Sequence, residues 1–185
     1  SGLTLLQRPA DLLRVGLAGL LPVVLGMAAA ETPAVELTFA NPALPGSRDI
    51  ELETLTLRAA DRAQAAVPIG AAVSRLAAYR DGVLWAACDT LAPDAAVAVL
   101  RPSAPAVVPP GATLTLEVRA AFTSAPPAGG LRLGVTADDV GVRQPGGALF
   151  AIRVEPEAGS AFPLWTEAGE FSARGLAASY SNFPN

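Results

Sequence analysis

The chain has no histidine and no lysine, and among its 185 residues there are only one cysteine, one methionine, two tryptophans and two tyrosines. Each shortage removes a class of chemistry. Without histidine there is no Ser-His-Asp triad, no Cys-His pair and no imidazole metal ligand. A lone Cys88 cannot close an intrachain disulfide or build a multi-cysteine metal site, and it reads as a small buried hydrophobe. All basic side chains are arginine, which codon composition explains more simply than function does. These 13 arginines are scattered among 17 acidic residues, giving a net charge of −4, so a nucleic-acid partner has no electrostatic footprint. Charged residues make up 16% of the chain, against roughly 25% in an average soluble domain. Part of the surface is therefore expected to be covered by a subunit, a neighbouring domain or a membrane.

What the sequence does carry is alternation. In Asp49–Arg62 the apolar Ile50 and Leu52 alternate with Glu51 and Glu53, and after a one-residue change of phase Leu55 and Leu57 alternate with Thr54, Thr56 and Arg58. This is strand period, and the phase change predicts a β-bulge near Glu53 and Thr54. Val35, Leu37 and Phe39 alternate in the same way, as do Leu114, Leu116, Val118, Ala120 and Phe122. Asp81-Gly82, set between Val73–Tyr79 and Val83–Cys88, is the dipeptide favoured in a type I′ hairpin turn. Residues 113–122 and 131–135, separated by Pro126, Pro127, Gly129 and Gly130, read as a second hairpin. Short strands are expected at Ala95–Leu100, Val140–Arg143 and Leu149–Val154, the last with Phe150, Ile152 and Val154 inward. With no long helix, eight to ten strands punctuated by Pro and Gly predict an all-β chain, an antiparallel β-sandwich of immunoglobulin-like or jelly-roll type. Its core should include Val35, Leu37, Phe39, Leu55, Leu57, Leu114, Leu116, Val118, Leu131, Leu133, Ile152 and Val154.

Three stretches follow: an apolar segment at 1–30, a sandwich core at 31–158 and an irregular tail at 159–185. The first admits several readings. Arg14, the apolar run from Leu17 to Met27 and Ala28–Ala30 have the layout of a signal peptide. A membrane span is an alternative, although Val15–Ala30 falls short of the roughly 20 residues a helix needs. The favoured reading is two strands, one with Leu13, Val15 and Leu17 on one face and a fully buried one at Leu21–Met27.

Candidate chemistry is sparse. Asp138 and Asp139 are the first places to look for a calcium site or an acid and base pair, with Glu155 and Glu157 next, but adjacent carboxylates on a strand point to opposite faces. Trp85, Trp165, Tyr79 and Tyr180 are the aromatics that could form a contact or sugar-stacking surface. No cofactor motif is present, since Gly129-Gly130 and Gly146-Gly147 lack a strand–GxGxxG–helix setting. An enzyme is not expected.

The final residues, Tyr180-Ser181-Asn182-Phe183-Pro184-Asn185, resemble the N-(Y/F)-P-N-P-F opening of the C-terminal sorting or anchoring domains of bacterial secreted surface proteins, including those of type IX secretion; the closing Pro-Phe is not in the sequence. The stretch VELTFANPALPGSRDIELETLTLR is similar to the β-sandwich modules of such proteins. The resemblance implies a sandwich stalk upstream of a sorting domain. The expected role is then a non-catalytic, extracytoplasmic structural or assembly module binding other protein subunits or neighbouring domains. An accessory subunit docked on the periplasmic side of a membrane complex, with membrane association through residues 11–30, and a carbohydrate-binding module are the alternatives.

Overall fold

The structure, a computed structural model, describes residues 10–26, 31–127, 129–146 and 151–172. Its architecture grows from one long strand, β4 (Ile50–Ala60), whose alternating residues Leu52, Leu55 and Leu57 are fully buried. Before it come β1 (Leu12–Gly19), β2 (Val24–Gly26) and β3 (Thr32–Ala40). After it follow β5 (Ala66–Val67), the single helical turn α1 (Ile69–Ala72), β6 (Val73–Arg80), β7 (Val83–Cys88), β8 (Val97–Leu100), β9 (Ala106–Val108), β10 (Thr113–Phe122) and β11 (Arg132–Val135). A 3-10 turn at Ala137–Asp139 leads into β12 (Val140–Arg143), β13 (Arg153–Pro156), β14 (Leu164–Trp165) and β15 (Glu170–Ser172).

The result is an all-β, sandwich-like fold. One sheet has the order β13-β1-β3-β10-β6-β7, a second is built on β4, which pairs with β5, β8, β9, β11 and β12 along its length, β14 adding to β11, and β2 with β15 forms a small third sheet. Pairing is antiparallel except for β1 with β13 and β2 with β15. In β12, Gly141 pairs with Thr54 and Val142 with Leu52, leaving Glu53 as the extra residue. The change of phase in the sequence is thus a bulge, which lets one strand keep its leucines inward on both sides of a bend. The β6–β7 turn has positive φ at both Asp81 (50°) and Gly82 (77°), as a type I′ turn requires.

Of the expected core, Val35, Leu37, Phe39, Leu55, Leu57, Leu114, Leu116, Val118, Leu131 and Leu133 are buried, whereas Ile152 and Val154 are only half-buried. Those two belong to or adjoin β13, an edge strand with a partner on one side only; Leu149 and Phe150 lie outside the described residues. The expected hairpin of 113–122 with 131–135 does not form. β10 lies in the six-stranded sheet between β3 and β6, while β11 crosses to pair with β4. The connection Thr123–Gly130 is thus a sheet-to-sheet crossover, which local alternation cannot distinguish from a hairpin.

The described residues of the first and last of the three stretches also carry strands. β1 pairs with β3 and buries Leu13 and Val15, so the start of the described chain is part of the sandwich. Among the described residues in the second half of that segment only Leu25 is buried, while Val23 and Val24 are 79% and 60% exposed. A fully buried strand at 21–27 is therefore incorrect. At the other end, β14 and β15 pair with β11 and β2, so the described part of the tail belongs to the sheets. Strands of two or three residues carry no readable period, which is also why the count rises to fifteen among the described residues. No helix among the described residues is long and apolar enough to cross a membrane.

Candidate functional site

The residues singled out from sequence do not converge. Asp138 is exposed, while Asp139 is buried and fully engaged. Arg58 reaches it from β4, donating from Nε to Oδ2 at 2.7 Å and Oδ1 at 3.0 Å and from Nη2 to Oδ1 at 2.9 Å. The Thr136 amide and hydroxyl each donate to Asp139 Oδ2 at 2.8 Å. Burial pushes the Asp139 carboxyl up, but the bonds from Arg58 and then Thr136 outweigh it and hold the group below the usual carboxylate range. A carboxylate this committed locks the 3-10 turn onto β4 and has no lone pair to offer a metal. Among the described residues no three His, Cys, Asp or Glu side chains are grouped to hold one.

The aromatic candidates are split between the sheets. Trp85 sits on β7 of one sheet and Trp165 on β14 of the other, and both are half-buried. The Trp165 ring fills the space over Gly134, where a Cβ would collide with it. They form no common platform; Tyr180 lies outside the described residues, as does the motif at 180–185. Cys88 is half-buried against the core, its thiol 3.8 Å from the Thr90 carbonyl. Glu155 pairs with Arg153 at 3.0 Å. Glu157 accepts from the Thr38 hydroxyl at 3.1 Å, its carboxylate lying where any side chain at Gly16 would stand.

A different group comes together on the outer face of the six-stranded sheet. Because Leu116 and Val118 of β10 and Val35 and Leu37 of β3 point into the core, the residues between them, Glu117 and Glu36, point outward. The register places these two glutamates directly opposite each other, at a Cβ spacing of roughly 5 Å. On the other side of Glu117 the register partner is Tyr79 of β6. Arg119 donates to Glu117 at 2.6 Å and lays its guanidinium over the Tyr79 ring, 4.8 Å from the centroid. The Tyr79 hydroxyl donates to Glu31 at 3.0 Å, and Glu31 is also ion-paired with Arg75, which continues to Asp89 at 2.7 Å. Glu36 differs from all of these in having no hydrogen bond or ion pair to any described residue.

These side chains border a groove of about 220 Å³ lined by Glu36, Tyr79, Asp81, Gly82, Thr115, Glu117 and Arg119. It carries three carboxylates against one guanidinium, with Asp81 also paired to Arg80 beside the groove at 3.6 Å. A larger cleft, about 320 Å³, is lined by Pro127, Gly129, Gly130 and Phe171 with Arg62 and Glu170. Its two charges neutralise each other, so it offers no unanswered group. A pair of carboxylates could in principle exchange a proton with a substrate. In this groove, however, Glu117 is already neutralised by Arg119 and Glu36 is half-buried with no partner among the described residues, so the arrangement is suited to holding positive charge. Neither Glu36, Glu117 nor Arg119 is conspicuous in the sequence. The only trace is that each occupies an outward position of a clearly alternating strand.

No family model and no curated protein matches this chain. Among solved structures similar to it is one described as "AvmM Catalyzes Macrocyclization in Alchivemycin A Biosynthesis", 12% identical over 93% of this chain and 94% of that one, with a TM-score of 0.40. The expectation of a non-catalytic, extracytoplasmic assembly module finds no counterpart in these comparisons, where the similar protein is by its description a biosynthetic enzyme. That expectation and its two alternatives are not carried further. At this similarity the match carries no argument about what this chain does, and no activity, substrate or residue role is transferred from it.

Proposed function

We propose that this protein binds a small organic cation, an amine or guanidine, in the outer-face groove, with Glu36 as the counter-charge. The observation that carries this reading is the pairing of Glu36 with Glu117 across adjacent strands while, among the described residues, only Glu117 has a cationic partner. Like charges directly opposite in a sheet are destabilising. A bound cation would relieve that repulsion, and Thr115 and Tyr79 supply a hydroxyl and an aromatic edge beside it. The groove is shallow and wet, so affinity for a fragment-sized ligand should be modest, on the order of millimolar.

Isothermal calorimetry with benzylamine at neutral pH, against benzyl alcohol as the uncharged control, tests this. Saturable binding of the amine alone, weakened about tenfold by Glu36→Gln, is expected. Equal binding of both compounds, or binding indifferent to Glu36→Gln, would remove the reading.

A further inference from the structure

The groove already contains one organic cation, and it belongs to the protein. The Arg119 guanidinium sits on the Glu117 carboxylate at 2.6 Å and over the Tyr79 ring at 4.8 Å, the two interactions by which a carboxylate and an aromatic ring together hold a cationic ligand. Among the described residues Arg119 has no second acidic anchor beside Glu117, and its side chain is 40% exposed. An exposed ion pair of this kind is weak and exchanges readily with water. Tyr79, by contrast, is fixed from behind, because its hydroxyl is held by Glu31 and Glu31 is held by Arg75. The seat is therefore rigid and its present occupant is the movable part.

We infer that Arg119 is a built-in competitor: the incoming cation takes the place of its guanidinium on Glu117 and Tyr79, and Arg119 swings out into solvent. This rests on the cation-binding reading of the same groove and adds a regulatory device to it. The internal arginine sets a threshold that weak or monovalent contacts fail to cross, and a ligand succeeds when it engages Glu36 as well as Glu117, which Arg119 does not do. A guanidinium ligand is favoured over a simple ammonium, since it reproduces the planar contact on Tyr79 that it displaces. No covalent step is involved.

The test uses ethylguanidinium as the probe and follows two readouts on the full chain. The first is affinity: Arg119→Gln, which removes the charge and keeps most of the stem, should bind ethylguanidinium about tenfold more tightly than the wild type, and Arg119→Ala at least as tightly. The second needs no variant. The Arg119 Nε–H resonance in the wild-type protein should move from a protected, hydrogen-bonded position towards that of a free arginine as ethylguanidinium is added. Unchanged or weaker binding by Arg119→Gln, or an Nε–H resonance that stays protected while the probe binds, would overturn the competitor role and leave cation binding standing. If neither the wild type nor the Arg119 variants bind the probe in the groove, the cation-binding reading falls and the competitor role with it. Binding by the variants alone would show that Arg119 blocks the seat outright, overturning both its displacement by a ligand and cation binding by the wild-type protein.

Discussion

Replacing Asp139 by asparagine probes the linkage between the 3-10 turn and the central strand, and its size can be worked from the bonds it alters. Asp139 accepts three bonds from Arg58 and two from Thr136, and its side chain is 2% exposed. The asparagine keeps one carbonyl for Thr136 but loses the charge and places an amide against the Arg58 fork. Hydrogen bonds to a charged group contribute roughly 1.5–3 kcal/mol. Arg58 is 45% exposed and recovers water when released, which moves the net cost towards the lower part of that range, about 2 kcal/mol. For a domain of this size that corresponds to a fall of roughly 4–8 °C in Tm. Because the folded carboxyl lies below its ordinary value, its contribution is fully present above the unfolded carboxylate pKa of about 3.9 and is lost as pH falls through the lower folded value. Urea unfolding of wild type and Asp139→Asn should therefore show a constant difference between pH 7 and pH 5 that shrinks below about pH 4. A variant within about 0.5 kcal/mol of wild type at pH 7, or a difference that widens on acidification, would refute the reasoning.

Two further substitutions separate structural from functional positions. Leu57 is fully buried on the strand that pairs with β8, so Leu57→Ala should cost about 3–4 kcal/mol in urea denaturation; a loss below about 1 kcal/mol would mean that β4 is not at the centre of the core. Glu36→Gln should do the opposite and raise stability at neutral pH by up to about 0.5 kcal/mol, because it removes a like-charge pair across the strands. A destabilised Glu36→Gln protein would show that this carboxylate is a structural partner rather than a residue retained for binding.

Strands long enough to show two or more repeats were legible in the sequence. Val35-Leu37-Phe39 and Leu114-Leu116-Val118 announce their buried face directly, and the bulge at Glu53 is visible as a slip of the leucine pattern. The short strands were not legible, since Leu164–Trp165 and Glu170–Ser172 exist only because a preformed neighbour supplies their hydrogen bonds. The partner of a strand is equally hidden: β10 and β11 follow each other in the chain and lie in different sheets. The groove shows both limits together. Alternation places Glu36 and Glu117 outward, but their opposition is a property of register between strands about eighty residues apart, which no local pattern contains. Asp138 and Asp139 stood out because they are adjacent in sequence, and adjacency sent them to different surroundings, one into water and one onto Arg58.

The measurement that bears most directly on the cation-binding groove is chemical-shift mapping during a benzylamine titration of the ¹⁵N-labelled protein, repeated on Glu36→Gln. Perturbations confined to the amides around Glu36, Tyr79, Gly82, Thr115 and Glu117, saturating in the millimolar range and largely abolished in Glu36→Gln, are the expected result. Perturbations centred elsewhere, such as the cleft of Arg62 and Glu170, or a titration that Glu36→Gln leaves unchanged, would contradict it.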